Sequence, residues 1–235
     1  MSNGAPAFRL FDAAHLTVLV LTVALPLLLA LAVRRSERTA RLAAFGIAGA
    51  LLLNETVYLP YRLATSPVGL VVREFLPLHL CGFSVFIVAI VLVWRQQLLF
   101  ECAYFWALSA TLGALLTPSL KEGFPHYLFF HFFIQHGGVI ASVLYAAIAL
   151  RLRPRPGSVL RVFVITQFVC AALLALDCLL GANYMFLLAA PDAATPLYFL
   201  PWPWYLAFLD AFGLAFFSLL YLPFWIARRR QSRSI

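Results

Sequence analysis

Phe129-Phe130-His131-Phe132-Phe133-Ile134-Gln135-His136-Gly137-Gly138 is the stretch that decides how the chain is read. It opens an apolar run that continues to Leu150, so two histidines and a glutamine stand in a segment otherwise suited to hydrocarbon. Polar and ionisable side chains at membrane depth are costly, face the interior of a bundle and mark functional positions. On a helix, His131, Gln135, Gly138 and Ser142 fall on one stripe, at spacings of four, three and four. His136 lies about 140° round from His131, because each residue turns the helix by about 100°. This helix therefore presents polar groups to more than one neighbour.

The rest of the composition agrees with a membrane setting. Of 235 residues, 64% are hydrophobic and only 11% charged, and the mean hydropathy is +0.94. A soluble domain of this length could not hide so much apolar surface. The net charge of +8 reads as loop arginines that fix orientation, not as a nucleic-acid surface, because no motif of that class is present. Cys81, Cys102, Cys170 and Cys178 form no CxxC pair and no metal-type spacing, and read mainly as small apolar helix residues.

Apolar runs predict an all-α, polytopic membrane protein with a single domain over residues 1–235. Seven transmembrane helices are expected, at about 12–33, 41–59, 75–94, 98–117, 127–150, 159–180 and 202–227. The first positive charges, Arg34 and Arg35, follow the first apolar run and do not precede it, apart from Arg9. That predicts a first membrane helix in place of a cleaved signal peptide. Thirteen of the 17 Lys and Arg residues fall on one side of this arrangement: Arg34, Arg35, Arg38, Arg41, Arg95, Arg151, Arg153, Arg155, Arg161, Arg228, Arg229, Arg230 and Arg233. Arg9, Arg62, Arg73 and Lys121 fall on the other. The positive-inside rule then places the N-terminus outside and the C-terminus inside, in a multi-pass protein of the cell membrane. Pro60 is expected to end the second helix. Trp202, Trp204 and Tyr205 read as an interfacial aromatic belt.

With this topology the polar groups collect towards the outer side. His15, then Asn54, Glu55 and Tyr58 with Arg62 beyond, His79 and Cys81, the His131–Gln135–His136 group, Asp177 with Asn183 and Tyr184, and Asp210 come from six helices. Most lie within roughly 12 Å of one interface at 1.5 Å per residue. Glu101 is the main exception, near the inner end of the fourth helix. One-sided clustering predicts a polar cavity open to the outer leaflet or the space beyond it. Several members also have plain structural readings. Asp12 and His15 suit pairing at a helix start, Glu55 and Arg62 suit an ion pair bridged by Tyr58, and Asp177 is near enough to the interface to be solvated.

Histidine serves as general base, metal ligand or haem ligand. The chain has no HExxH and no HxxxH on one helix face, so a zinc site would need ligands from separate helices. A haem between His79 and His136 is compatible with the sequence, but no spacing demands it. The metal set is therefore empty and the cofactor open. Cys81 lies about 200° from His79 on one helix, so the two do not form a nucleophile–base pair by themselves. His79 and His136 are expected on facing surfaces of the third and fifth helices, with Asn183 or Asp210 nearby.

Several motifs add a resemblance. Leu76-Pro77-Leu78-His79-Leu80-Cys81, Glu101-Cys102-Ala103-Tyr104-Phe105-Trp106, Leu116-Thr117-Pro118, Phe133-Ile134-Gln135-His136-Gly137-Gly138, Gly181-Ala182-Asn183-Tyr184-Met185 and Pro201-Trp202-Pro203-Trp204-Tyr205 resemble the bacterial YwaF-like integral membrane proteins over nearly the whole chain. Pro77-x-His79, Ile134-Gln135-His136 and Pro203-Trp204-Tyr205 are also similar to motifs of the eukaryotic transmembrane protein 164 family, which is associated with acyl transfer onto ether phospholipids. In that family the proposed nucleophilic cysteine immediately precedes the histidine, where this chain has Leu78.

Two functions follow as expectations. The first is a phospholipid acyltransferase or transacylase acting on membrane lipids. His136 would be its general base, His79 would orient it or stabilise an oxyanion, and Asp210 would fix a histidine tautomer. Gln135, His131, Asn183, Tyr184, Asn54, Glu55 and Cys81 would line the substrate site, and Arg62 or Arg73 would hold phosphate. The second is a lipid or small-molecule binding or transport protein using the same cavity. A transporter is the poorer fit, because no internal repeat is visible.

Overall fold

The computed structural model describes residues 6–191 and 197–231, and among these the architecture is all-helical. Arg233, counted above for topology, lies outside the described residues. Six helical segments are long and apolar enough to cross a bilayer. They are α1 (Ala13–Val33), α2 (Glu37–Thr65), the composite Gln97–Leu116, α7 (Tyr127–Ile148), α8 (Ser158–Leu180) and α9 (Trp204–Gln231). The composite consists of α5 (Gln97–Trp106), a π-helical turn Ala107–Thr111 and α6 (Leu112–Leu116).

The expected third helix is not continuous. A short α3 (Val68–Leu70) runs into a π-helical turn Val71–Phe75, the chain breaks over residues 76–79, and α4 (Leu80–Trp94) leaves at 70° to the incoming segment. Proline at position 77 forces the residue before it out of the helical region, and Leu76 takes φ −68°, ψ 151°. His79 is the extended residue that precedes α4. The bent pair makes a seventh crossing if it is counted as one broken span, or a re-entrant loop if it is not.

Pro60 does not end α2, which runs on to Thr65. Its ring removes one backbone donor from an otherwise continuous helix. Side chains cap the first two helices, Asp12 accepting from the His15 N–H and Ser36 from the Thr39 N–H, and α2 therefore begins at Glu37, a turn before the expected start. The plain reading of Asp12 and His15 changes accordingly, since the carboxylate meets the backbone of His15 and not its ring.

Helix α7 sits at the centre, against α1, α2 and α4. Gly137 and Gly138 make this possible. A Cβ on Gly137 would come within 2.7 Å of Thr22 Oγ1 in α1, and one on Gly138 within 2.5 Å of Leu51 Cδ2 in α2. Small residues let membrane helices approach closely where no hydrophobic effect drives them together. At the inner end, buried Glu101 accepts from Arg155 Nε at 2.7 Å, from Arg161 Nε at 3.3 Å and from Gln97. This carboxylate ties α5 to the 151–157 connection and to the start of α8, and it holds the Arg155 guanidinium above its ordinary pKa. Helices α8 and α9 lie at the margin: few of their residues are buried, in contrast to α7.

Candidate functional site

The two faces of α7 carry two separate polar groups. His131 and Gln135 face α2. Asn54 donates from Nδ2 to His131 Nδ1 at 3.1 Å and to the His131 carbonyl at 3.3 Å. The His131 ring stacks on Tyr58, with centroids 3.7 Å apart and planes 2° from parallel. Gln135 Nε2 donates to both oxygens of Glu55, at 3.1 and 2.9 Å. The expected Glu55–Arg62 ion pair is not formed. Arg62 donates from Nε to the Tyr58 hydroxyl at 2.9 Å and lays its guanidinium over Phe75, 3.9 Å from the ring centroid. Two turns of helix separate the charges, and each finds a nearer partner.

His136 lies on another side of α7, about 140° round from His131, and its ring stacks on Phe132. It is within electrostatic reach of His79 and of His131. His79 sits at the break before α4, against the rings of Tyr184 and Phe186. A clasp from the segment after α8 holds that break. Tyr184 is fully buried. Its hydroxyl donates to the Val72 carbonyl at 2.8 Å and accepts from the Leu76 N–H at 3.2 Å. Its own N–H donates to Asp177 Oδ1 at 2.9 Å. Burial raises the Tyr184 phenol above its ordinary pKa. Asp177 is therefore a buried structural acceptor, not the solvated carboxylate that its place near a helix end suggested.

The hydrogen bonds assign proton positions on the two imidazoles, because a backbone carbonyl only accepts and a backbone N–H only donates. His136 Nδ1 meets the Phe132 carbonyl at 2.9 Å, so Nδ1 carries the proton and Nε2 of the neutral ring presents a lone pair. His79 Nδ1 accepts from the Met185 N–H at 3.2 Å, so in its neutral ring Nε2 carries the proton. Among the described residues neither Nε2 has a protein partner. His15 makes the contrast. Its Nδ1 accepts from Phe11 N–H and its Nε2 donates to the Leu115 carbonyl, both at 3.0 Å, so both nitrogens are occupied and the residue is structural.

An apolar cavity of about 220 Å³ lies beside His79, lined by Leu78, Leu80, Phe83, Val169, Ala172, Leu173 and Met185. It is smaller than the pockets of about 300–1,000 Å³ that enclose whole drug-sized ligands.

The remaining predicted residues separate. Asn183 is spent on its own loop, accepting from Leu188 and Ala189 N–H and donating to the Ala189 carbonyl. Arg73 is exposed in the π-helical turn, with its guanidinium beside Gly181. Cys81 is half-buried in the first turn of α4, next to Thr111. Asp210 is corrected as a tautomer-fixing residue. Its Oδ1 accepts from Gln167 Nε2 at 2.9 Å on an exposed face of α8 and α9. The Phe132 carbonyl and the Met185 N–H orient the imidazoles instead. These are backbone groups, which no side-chain motif reveals. Among the described residues no group of three or more His, Cys, Asp or Glu is placed to hold a metal ion.

No curated protein and no solved structure matches the chain. The TMEM164 family model matches residues 10–221, across the broken third span, the histidine-bearing α7 and most of α9. The chain, a multi-pass membrane protein by its helices, belongs to the TMEM164 family.

Proposed function

We propose that this protein is a membrane-embedded phospholipid acyltransferase or transacylase, with His136 as general base and His79 as hydrogen-bond donor to the ester carbonyl. The observation that carries the reading is the opposite tautomers of these two imidazoles, one with a free lone pair and the other, next to an apolar cavity, with a free N–H. The resemblance of the surrounding motifs to acyl-transferring and YwaF-like membrane proteins supports it. The same cavity would serve a lipid-binding protein that does no chemistry, but complementary proton positions have no use there.

In this mechanism the acceptor lipid's hydroxyl gives its proton to His136 Nε2 as its oxygen attacks the donor ester carbonyl. The Phe132 carbonyl supports the imidazolium through Nδ1–H. His79 Nε2–H donates to the oxyanion as it forms. When the tetrahedral adduct collapses, the donor's ester C–O bond breaks and the leaving oxygen takes the proton back from His136. Gln135, His131, Asn54 and Glu55 line the neighbouring polar face, and Arg62 or Arg73 holds phosphate at the outer rim.

The reading places the protein in the cell membrane with seven crossings, the bent pair counted as one, the N-terminus outside and the C-terminus inside. The arginine asymmetry supports that orientation, and a strongly active C-terminal alkaline phosphatase fusion would reverse it. For the enzyme, the purified chain is reconstituted with a lysophospholipid and a diacyl phospholipid, and products are followed by lipid mass spectrometry. Acyl exchange is expected with the wild type and absent with a folded His136→Ala variant. Exchange that survives His136→Ala, or no exchange by the wild type with any lipid acceptor, rejects the reading.

A further inference from the structure

Arg62, Tyr58, His131 and Tyr127 meet where α2 ends and α7 begins, and they present hydrogen-bond donors that the protein does not use. Arg62 spends Nε on the Tyr58 hydroxyl at 2.9 Å, and among the described residues it forms no salt bridge. The N–H bonds of its two Nη atoms are left over. Tyr58 accepts from Arg62, so its own O–H remains to donate. On His131 the assignment follows from Asn54. The His131 carbonyl only accepts, so the Asn54 atom that faces it is the amide nitrogen, and this same nitrogen donates to ring Nδ1. The proton of the neutral imidazole is then on Nε2, which has no partner among the described residues. The Tyr127 hydroxyl is buried and also unpartnered, although buried hydroxyls are ordinarily bonded. Its ring lies 6.2 Å from that of His131, and it is within electrostatic reach of Arg62 and Tyr58.

A cation surrounded by donors takes an anion, and depth names the source. Arg62 is eleven residues past Leu51, the middle residue of α2. That is about 16 Å, against about 15 Å for half of a hydrocarbon core. With α2 centred in the bilayer, Arg62 stands at the level of the lipid phosphates. Tyr127 is the first residue of α7 at the same end. The rings here do not form a cage for an ammonium group. The Arg62 guanidinium already faces Tyr58 and Phe75, 5.1 and 3.9 Å from their centroids. Glu55, about 10 Å further down α2, has both oxygens on Gln135. A choline or ethanolamine group would meet the like charge of Arg62 at this place.

We propose that Arg62, Tyr58, His131 and Tyr127 bind the phosphate of an anionic phospholipid, one whose headgroup carries no ammonium. The proposal rests on the phospholipid reading above, chooses Arg62 over Arg73 and narrows the substrate class. Arg62 gives a charge-assisted, two-pronged contact from its Nη atoms, with its plane set by Phe75 and its Nε by Tyr58. Tyr58, Tyr127 and His131 add neutral donors to the other phosphate oxygens.

The full chain in dodecylmaltoside micelles is titrated with phosphatidylglycerol, phosphatidylcholine or inorganic phosphate and followed by native mass spectrometry, where the adduct mass identifies the ligand. Phosphatidylglycerol is expected to bind at about tenfold lower concentration than phosphatidylcholine. Arg62→Gln is expected to remove that difference, and Lys121→Gln to keep it. Equal binding of the two lipids by the wild type overturns the proposal, as does a folded Arg62→Gln variant that keeps the preference. An inorganic phosphate adduct in place of the lipid makes the free anion the ligand and also overturns it. If Arg62→Gln does not fold, Tyr58→Phe decides, since it keeps the ring beside His131 and removes the hydroxyl. It is expected to weaken phosphatidylglycerol binding about fivefold, and unchanged binding overturns the proposal. His136→Ala, inactive on the reading above, is expected to bind phosphatidylglycerol like wild type, so a failure of acyl transfer and a failure of this site are seen separately.

Discussion

Met185 donates its backbone N–H to His79 Nδ1 from a left-handed conformation, with φ 57° at Met185 and 58° at Phe186. Two consecutive non-glycine residues in this region cost about 1–3 kcal/mol each and persist only where the surroundings over-determine them. Here the surroundings are identifiable. Asp177 holds Tyr184 from one side, and the Tyr205 hydroxyl and Trp202 indole bond the Phe186 and Leu187 carbonyls from the other. The strained turn aims one N–H at the imidazole that the proposed mechanism needs as a donor through its other nitrogen.

Tyr184→Phe is expected to lower stability by about 1–3 kcal/mol, because the Val72 carbonyl and Leu76 N–H lose their shared partner. Acyl transfer should fall as well, since His79 follows Leu76 by three residues. Thermal melting in detergent and product formation check both. An unchanged variant would mean that Pro77 alone maintains the break.

His15→Ala and His136→Ala should behave oppositely. His15 is fully buried with both ring nitrogens bonded, so its loss leaves a cavity and an unpaired Leu115 carbonyl. A stability loss of about 2–4 kcal/mol is expected, with activity per folded molecule retained. His136→Ala should melt nearer to wild type and be inactive. Equal loss of activity per folded molecule in both variants would remove the distinction.

Gly137→Ala should cost about 1–3 kcal/mol by overpacking against Thr22 Oγ1. Thr22→Ala/Gly137→Ala should recover most of that, because residues in contact are not additive. A double variant no more stable than Gly137→Ala would show that the clash lies elsewhere in the α1–α7 contact.

Cys81→Ala should keep most of the acyl transfer. The thiol is beside Thr111, and the imidazole of His79 is held by Met185. Complete loss in a well-folded Cys81→Ala variant would point to a thioester intermediate.

The sequence by itself determined the membrane class and most of the span positions, because a 20-residue apolar run has one stable solution in a bilayer. It also determined that His131 and Gln135 share one stripe of α7 while His136 lies on another, since helical angle depends on spacing alone. It did not reveal the break at Leu76–His79 within an apolar stretch, although Pro77 was its local signal. Partner choice belonged to the tertiary structure. Glu55 turned to Gln135 in place of Arg62, Asp210 to Gln167 in place of a histidine, and Asn183 to its own loop. The tautomers of His79 and His136 were decided there too. Each is fixed by a backbone group of the fold, Met185 N–H for one and the Phe132 carbonyl for the other. Every residue except proline carries the same backbone donor and acceptor, so composition and spacing hold no record of which pair will meet.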